Sequence, residues 1–296
     1  MPSKEREKIF EIADRLKKKS REQQRSGFKV VVTGKGGAGK TTTAAVLAHL
    51  FASDGYNVLA VDEDPQMNLP FALGVDKSKT SKIIPLSRNL DYIEEKTGAR
   101  PGTSWGLFLN LTPDISDVVD KFGIKIKDNL SVLVMGTVVQ AATGCLCPEN
   151  ALLDSVMRYI SLKRNEMILL DTQAGVEHFG RALAKGFRHC VVVTEPTFNS
   201  MDVAKHTAEL ARQIGIPVVF LLVNKVRNNR DKTKAKEYID IGNNSLFDRV
   251  FFSIFDEELL ECEPYVEPIL NKESKFLKTL MEIKKELMKN NEKLSN

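Results

Sequence analysis

Short apolar runs rich in β-branched residues alternate along the chain with segments whose apolar positions recur every three or four residues. Residues 30–33, 57–61, 130–135, 166–170, 190–194, 218–223 and 249–254 are continuous enough in apolar character to read as strands buried on both faces. Between them, residues 42–51, 150–162, 201–214 and 231–238 read as helices, one more helix starts near Gln66, and another follows Gly175. Seven strands alternating with helices predict an α/β fold: a doubly wound, mostly parallel sheet covered by helices on both faces. No break in composition divides residues 27–270, which are expected to form one domain.

Two amphipathic helices flank it. Residues 4–25 carry Ile9, Phe10, Ile12, Ala13 and Leu16 on one side and charge elsewhere, and Ser26-Gly27 ends them, which sets off 1–26 as a basic N-terminal helix. Within 271–296, Phe276, Leu277, Leu280, Ile283 and Leu287 fall at helical spacing. Each helix reads either as packing on the domain or as docking to a partner or membrane surface. Residues 76–129 are the least regular stretch and hold the only tryptophan, Trp105; an insertion of this length suits contact with a partner protein.

The chemistry is concentrated behind the first strand. Gly34-Lys35-Gly36-Gly37-Ala38-Gly39-Lys40-Thr41 follows a β-branched run and precedes a helix, the complete strand-loop-helix context of a phosphate-binding loop. Glycines let successive amides face one concavity, and the helix adds the positive end of its dipole. With ATP or ADP as the expected ligand, Lys40 is placed to reach the β-phosphate and, in ATP, the γ-phosphate, and the Thr41 hydroxyl to ligate Mg²⁺; the predicted nucleotide contacts run from Gly34 through Thr42.

Acids at the ends of later strands face the same crevice. Asp62-Glu63-Asp64-Pro65 follows the second strand: Asp64 is read as positioning the attacking water beside Mg²⁺, with Asp62 as its support, or else as a helix cap. Asp171-Thr172-Gln173-Ala174-Gly175 follows the fourth and has the form of a switch. Asp171 would hold Mg²⁺ through water, the Gly175 amide would sense the γ-phosphate, and His178 and Arg181 could transmit the change.

Cys145 and Cys147 stand one residue apart in Gly144-Cys145-Leu146-Cys147-Pro148. They read as metal ligands or as packing; as ligands they supply half of a tetrahedral thiolate site, and a second subunit would supply the rest. Four thiolates at a twofold axis suit Zn²⁺ or Ni²⁺. Cys190 lies in an apolar run, Cys262 gives no functional hint, and four cysteines in a chain of this size make no disulfide framework.

Charge and hydropathy narrow the partners. The net charge is +4, but residues 1–26 hold nine Lys or Arg against five acids and residues 271–296 seven Lys against four, which leaves the body about −3. A nucleic-acid surface would need a basic patch on the fold itself, so none is expected. No apolar run approaches the ~18 residues of a membrane span, and the charged N-terminus is unlike a signal peptide, so a cytoplasmic protein without stable membrane insertion is expected.

The loop with its additional lysine, Lys35, resembles the deviant K-G-G-x-G-K-T loop of dimeric ATPases related to the nitrogenase iron protein and MinD. That resemblance implies that Lys35 crosses a homodimer interface to the partner's nucleotide, and that Asn224 contacts adenine. With V-D-E-D-P, T-G-C-L-C-P and D-T-Q-A-G-V-E-H, the chain from about Phe28 to the end of the sheet is similar to the CooC-type nickel-insertion ATPases. Glu63 stands where that family usually has Gly. The resemblance implies a metal bridged by Cys145 and Cys147 of both subunits, hydrolysis coupled to metal release, and carbon monoxide dehydrogenase or acetyl-CoA synthase as client. Two other readings stay open: a MinD/ParA-like positioning ATPase on membrane or DNA, and an ATP-dependent reductase holding an iron-sulfur cluster on the same thiolates.

Overall fold

The computed structural model describes residues 27–100, 110, 114, 116–136, 151–153, 155–156, 166–174, 184, 186–240 and 246–295. The N-terminal helix, Trp105, Cys145, Cys147, Gly175, His178 and Arg181 lie outside the described residues.

Among the described residues, eight strands form one sheet: β1 (Phe28–Gly34), β2 (Asn57–Asp62), β3 (Ile124–Lys127), β4 (Leu130–Val134), β5 (Glu166–Asp171), β6 (His189–Thr194), β7 (Val218–Val226) and β8 (Arg249–Ile254). Their spatial order is β3-β4-β2-β5-β1-β6-β7-β8. Every neighbouring pair is parallel except β3 with β4. The seven expected strands are all present, and β3 is an addition. It alternates half-buried Ile with exposed Lys, as suits a short edge strand that faces water on one side.

Both faces of the sheet are packed. On one face the loop helix (Lys40–Ser53) lies against the sheet, and eleven of its fourteen residues are buried. It begins at Lys40 rather than Thr42 because Gly39, in the left-handed region at φ 99°, serves as its N-cap. The C-terminal helix (Lys275–Ser295) lies against the loop helix and β8. Its Phe276, Leu277, Leu280, Ile283 and Leu287 are buried in the same core as Phe28, Val30 and Val32 of β1. At about 1.5–3 kcal/mol for each large apolar side chain buried, that stripe makes the helix part of the domain's stability. The other face is covered by the Phe198–Gln213 helix, whose Met201, Ala204, Ala208 and Ala211 pack on β6 and β7 residues such as Val192 and Val219. In the irregular stretch, the described residues include short helices at Lys77–Thr80, Leu90–Thr97 and Val118–Phe122.

Sheet register brings the acids together. Asp62 ends β2, Asp171 ends β5, and their Cα positions are paired across the two strands; Asp171 is in turn beside Val32 of β1, two residues before the phosphate loop opens.

Candidate functional site: a phosphate loop over a buried acid pair

The chain leaves β1 at Gly34, whose φ is 136° and where a Cβ would overlap the Val193 carbonyl oxygen of β6. Only glycine fits there. Gly37 (φ 78°) and Gly39 (φ 99°) are also left-handed, and a Cβ on Gly39 would lie 2.6 Å from Asn224 Nδ2. These conformations curl the loop along the wall of a cavity of about 570 Å³. Its lining combines polar groups of the loop (Gly36, Gly37 and Gly39 through Thr42) and of Asp64, Gln66 and Gln173 with apolar side chains of Ile254, Phe255, Leu259 and Leu260, a division of character rather than of position. That division suits a polyphosphate joined to a base.

The predicted residues take distinct places. Lys40 is 7% exposed, and its Nζ donates to Lys35 O at 3.3 Å. Burial lowers its pKa, while Asp171 and Asp64 oppose that effect. Thr41 and Thr42 line the cavity; Gly34 is buried beneath it, Ala38 is buried in the loop wall, and Lys35 lies outside the cavity lining. Asp64 lines the cavity, and its Oδ1 accepts from Gln66 N at 2.8 Å. Asp62 does support Asp64, through the backbone: Oδ1 accepts from Asp64 N at 2.9 Å while Oδ2 accepts from Leu69 N at 3.0 Å. The capping role weighed for Asp64 therefore falls to Asp62, which bonds the first turn of the Asn68–Ala72 helix.

Asp171 is fully buried, and neither carboxylate oxygen has a hydrogen-bond partner of proper geometry among the described residues. Burial raises its pKa to about 7; the adjacent Thr41 hydroxyl and Lys40 lower it in part, and Asp64 raises it. Asp62 is held well above the usual carboxylate range by burial and then by Asp171, against the two amides it accepts from. A buried carboxylate only partly offset by a threonine hydroxyl and a lysine keeps oxygen donors for a cation next to a loop suited to an anion. Gln173 and Ala174 continue this strand end to the loop, where a Cβ on Gly36 would meet Ala174 Cβ at 3.4 Å.

Asn224 also lines the cavity, but its amide nitrogen is engaged with the loop, donating to Ala38 O at 2.9 Å. Lys225, which the sequence did not single out, donates to Gly37 O at 2.6 Å and pairs with Glu195 Oε1 at 2.8 Å. Its adjacency to Asn224 was the available signal.

Among the described residues no group of three or more His, Cys, Asp or Glu is placed to hold a metal ion. Cys190 and Cys262 are buried free thiols, and burial pushes the Cys190 thiol far up. No helix among the described residues is long and apolar enough to cross a membrane.

Residues 29–253 match the CobQ/CobB/MinD/ParA nucleotide binding domain. An uncharacterized ATP-binding protein of Methanocaldococcus jannaschii is 41% identical over 258 residues, covering 86% of this chain and 96% of that protein. The carbon monoxide dehydrogenase accessory protein CooC of Rhodospirillum rubrum is 38% identical over 204 residues, 69% of this chain and 76% of the relative. Among solved structures, the septum site-determining protein MinD of Pyrococcus horikoshii, complexed with Mg-ADP, superimposes with a TM-score of 0.63 at 21% identity, covering 88% of this chain and 96% of that one. That likeness is one of fold, and it agrees with the sheet and loop described above. On the domain match and the identity to these relatives, the chain belongs to the CobQ/CobB/MinD/ParA nucleotide-binding family, as an ATPase of the CooC type.

Proposed function

We propose that this ATPase is a metallochaperone: it dimerises with nucleotide, carries nickel, or zinc in its place, on Cys145 and Cys147 of both subunits, and supports nickel insertion into carbon monoxide dehydrogenase or acetyl-CoA synthase. The observation that carries this reading is the 38% identity to the accessory protein CooC, held by a chain that also contains the C-x-C pair.

The site supports the hydrolytic half. Lys40 holds the β- and γ-phosphates, and the loop amides from Gly36 to Thr42 wrap the phosphate chain. The buried, unpartnered oxygens of Asp171, the Thr41 hydroxyl and the nearby Asp64 are hard oxygen donors that fit Mg²⁺, with Asp171 acting through water. When bound, that ion neutralises charge on the phosphate oxygens. Asp64 orients the attacking water, Lys35 of the partner subunit completes charge neutralisation across the interface, and no covalent intermediate is required. Gly175 senses the γ-phosphate, and Asn224 borders the adenine. ATP favours the closed dimer through contacts available only there, so hydrolysis releases the thiolate site once per cycle.

The positioning-ATPase reading is weakened by the C-terminal helix. Its main apolar stripe, Phe276, Leu277, Leu280, Ile283 and Leu287, is buried in the core, which leaves only the separated Met281 and Leu294 exposed on the helix for a bilayer. The test is activation of nickel-free client under anaerobic conditions with Ni²⁺ and Mg-ATP. Wild-type protein is expected to accelerate activation, and the double variant Cys145→Ala/Cys147→Ala and Lys40→Ala are not. A double cysteine variant as effective as wild type would remove the metallochaperone role.

A further inference from the structure

A phosphate loop works by turning its amides into one concavity, so the carbonyls of the same peptide units point outward and need donors of their own. Gly39 O accepts from Thr43 N within the helix, and three others have side-chain donors: Lys35 O from Lys40, Gly37 O from Lys225 and Ala38 O from Asn224. Two of these three donors are consecutive residues of one strand. Successive side chains of a regular strand point to opposite faces, so a regular β7 could place only one of them on the loop.

The backbone breaks that alternation at the required residue. Lys225 has φ 57°, one of two non-glycine residues with positive φ among those described, and the β7–β8 register shifts between Val223 and Val226. A left-handed lysine is a strained choice for which glycine is the relaxed one, and a bulge re-aims the side chains around it. Strain and bulge together deliver Asn224 and Lys225 to adjacent carbonyls of the loop. Glu195, just past the end of β6, pairs with the ammonium at 2.8 Å and fixes its direction.

We propose that Lys225, oriented by Glu195 and acting beside Asn224, is a positioning residue for nucleotide binding: by holding Gly37 O it keeps the phosphate loop in its binding shape before nucleotide arrives. The inference rests on reading this loop as the nucleotide site. Because ADP and ATP share the loop, the organisation it supplies benefits both equally, and it acts on binding more than on the chemical step.

The experiment is calorimetric titration of the full chain with Mg-ADP and with a non-hydrolysable Mg-ATP analogue, beside steady-state ATPase kinetics. Lys225→Met is expected to weaken both nucleotides by the same factor, about tenfold for a lost charge-assisted hydrogen bond. KM for ATP rises by a similar factor, and kcat falls less than about twofold. Lys225→Arg, which keeps a donor, recovers binding to within about threefold of wild type. Lys225→Gly accepts the left-handed backbone without strain, so it loses affinity like Lys225→Met while its unfolding midpoint stays near wild type. Affinities unchanged in Lys225→Met, loss confined to the ATP analogue, a fall in kcat with KM unaltered, or affinity in Lys225→Gly that drops only together with the unfolding midpoint would each overturn the proposal. Failure of the wild-type chain to bind Mg-ADP would instead remove the nucleotide-site reading on which it rests.

Discussion

Replacing Asp171 by Asn is expected to abolish ATP hydrolysis and, at alkaline pH, to stabilise the nucleotide-free protein. The reason lies in the burial of a carboxylate with no hydrogen-bond partner of proper geometry among the described residues, which pushes its pKa from 3.8 to about 7. Below pH 3.8 the group is protonated in the folded and unfolded states alike, and the shift has no effect. As pH rises from 3.8 to 7 the unfolded chain ionises while the folded one holds its proton, so stability falls; above 7 the full penalty stands. A displacement of that size corresponds to roughly 4 kcal/mol at pH 8 and roughly 2 kcal/mol at pH 5. Removing the charge also relieves Asp62, whose pKa is raised by burial and then by Asp171, and deprives Lys40 of a favourable neighbour. These act in opposite directions, so the net change of the variant-minus-wild-type difference between pH 5 and pH 8 is on the order of 2 kcal/mol. Urea unfolding of both proteins without nucleotide, at the two pH values, measures it directly. Mg-ADP at 100 times its Kd should narrow the gap at pH 8, because it stabilises the wild type by about 2.7 kcal/mol and the variant, which lacks a carboxylate for Mg²⁺, by less. A stability difference that is the same at pH 5 and pH 8, or a variant less stable than wild type at pH 8, would refute the argument that Asp171 is a buried charge only partly offset.

His49 on the loop helix is 1% exposed, neither ring nitrogen has a hydrogen-bond partner among the described residues, and burial, aided by Lys127, pushes its pKa down to about 4. Its contribution is therefore complete above about pH 6.5 and lost as pH falls toward 4. In His49→Leu, the stability difference from wild type should shift by up to roughly 3 kcal/mol across that window, and an unchanged acid slope in urea titrations would contradict it. Leu280→Ala, in the fully buried stripe of the C-terminal helix, should cost about 2–5 kcal/mol in the same assay. A cost under about 0.5 kcal/mol, the level of an ordinary surface position, would mean that the helix is not part of the core.

Parallel strands announce themselves because both faces are buried and the run between their ends is apolar; residues 30–32 of β1, 190–193 of β6 and 218–223 of β7 are uninterrupted stretches of this kind. The acids were legible for a related reason, since a charge at the end of an apolar strand has only the crevice to face. β3 escaped notice because Ile124-Lys125-Ile126-Lys127 is four residues long and half exposed, and it gains its identity from pairing with β4. The C-terminal helix was visible in its spacing, but the surface it covers depends on the loop helix being apolar nearly all round. Asp62's double acceptance and Lys225's reach to Gly37 were beyond pattern reading. The first follows from a turn that returns Leu69 to the end of β2, and the second from a left-handed residue that periodicity cannot register.

The central claim is that one metal is held by four thiolates between two subunits, and native mass spectrometry of anaerobic protein tests it most directly. Ni²⁺ or Zn²⁺ is offered without nucleotide, with Mg-ADP and with Mg-ATP. One metal per dimer is expected in at least one nucleotide state, absent from Cys145→Ala/Cys147→Ala while that variant still dimerises. A nucleotide dimer free of metal in every state, or metal retained by the double variant, would contradict it.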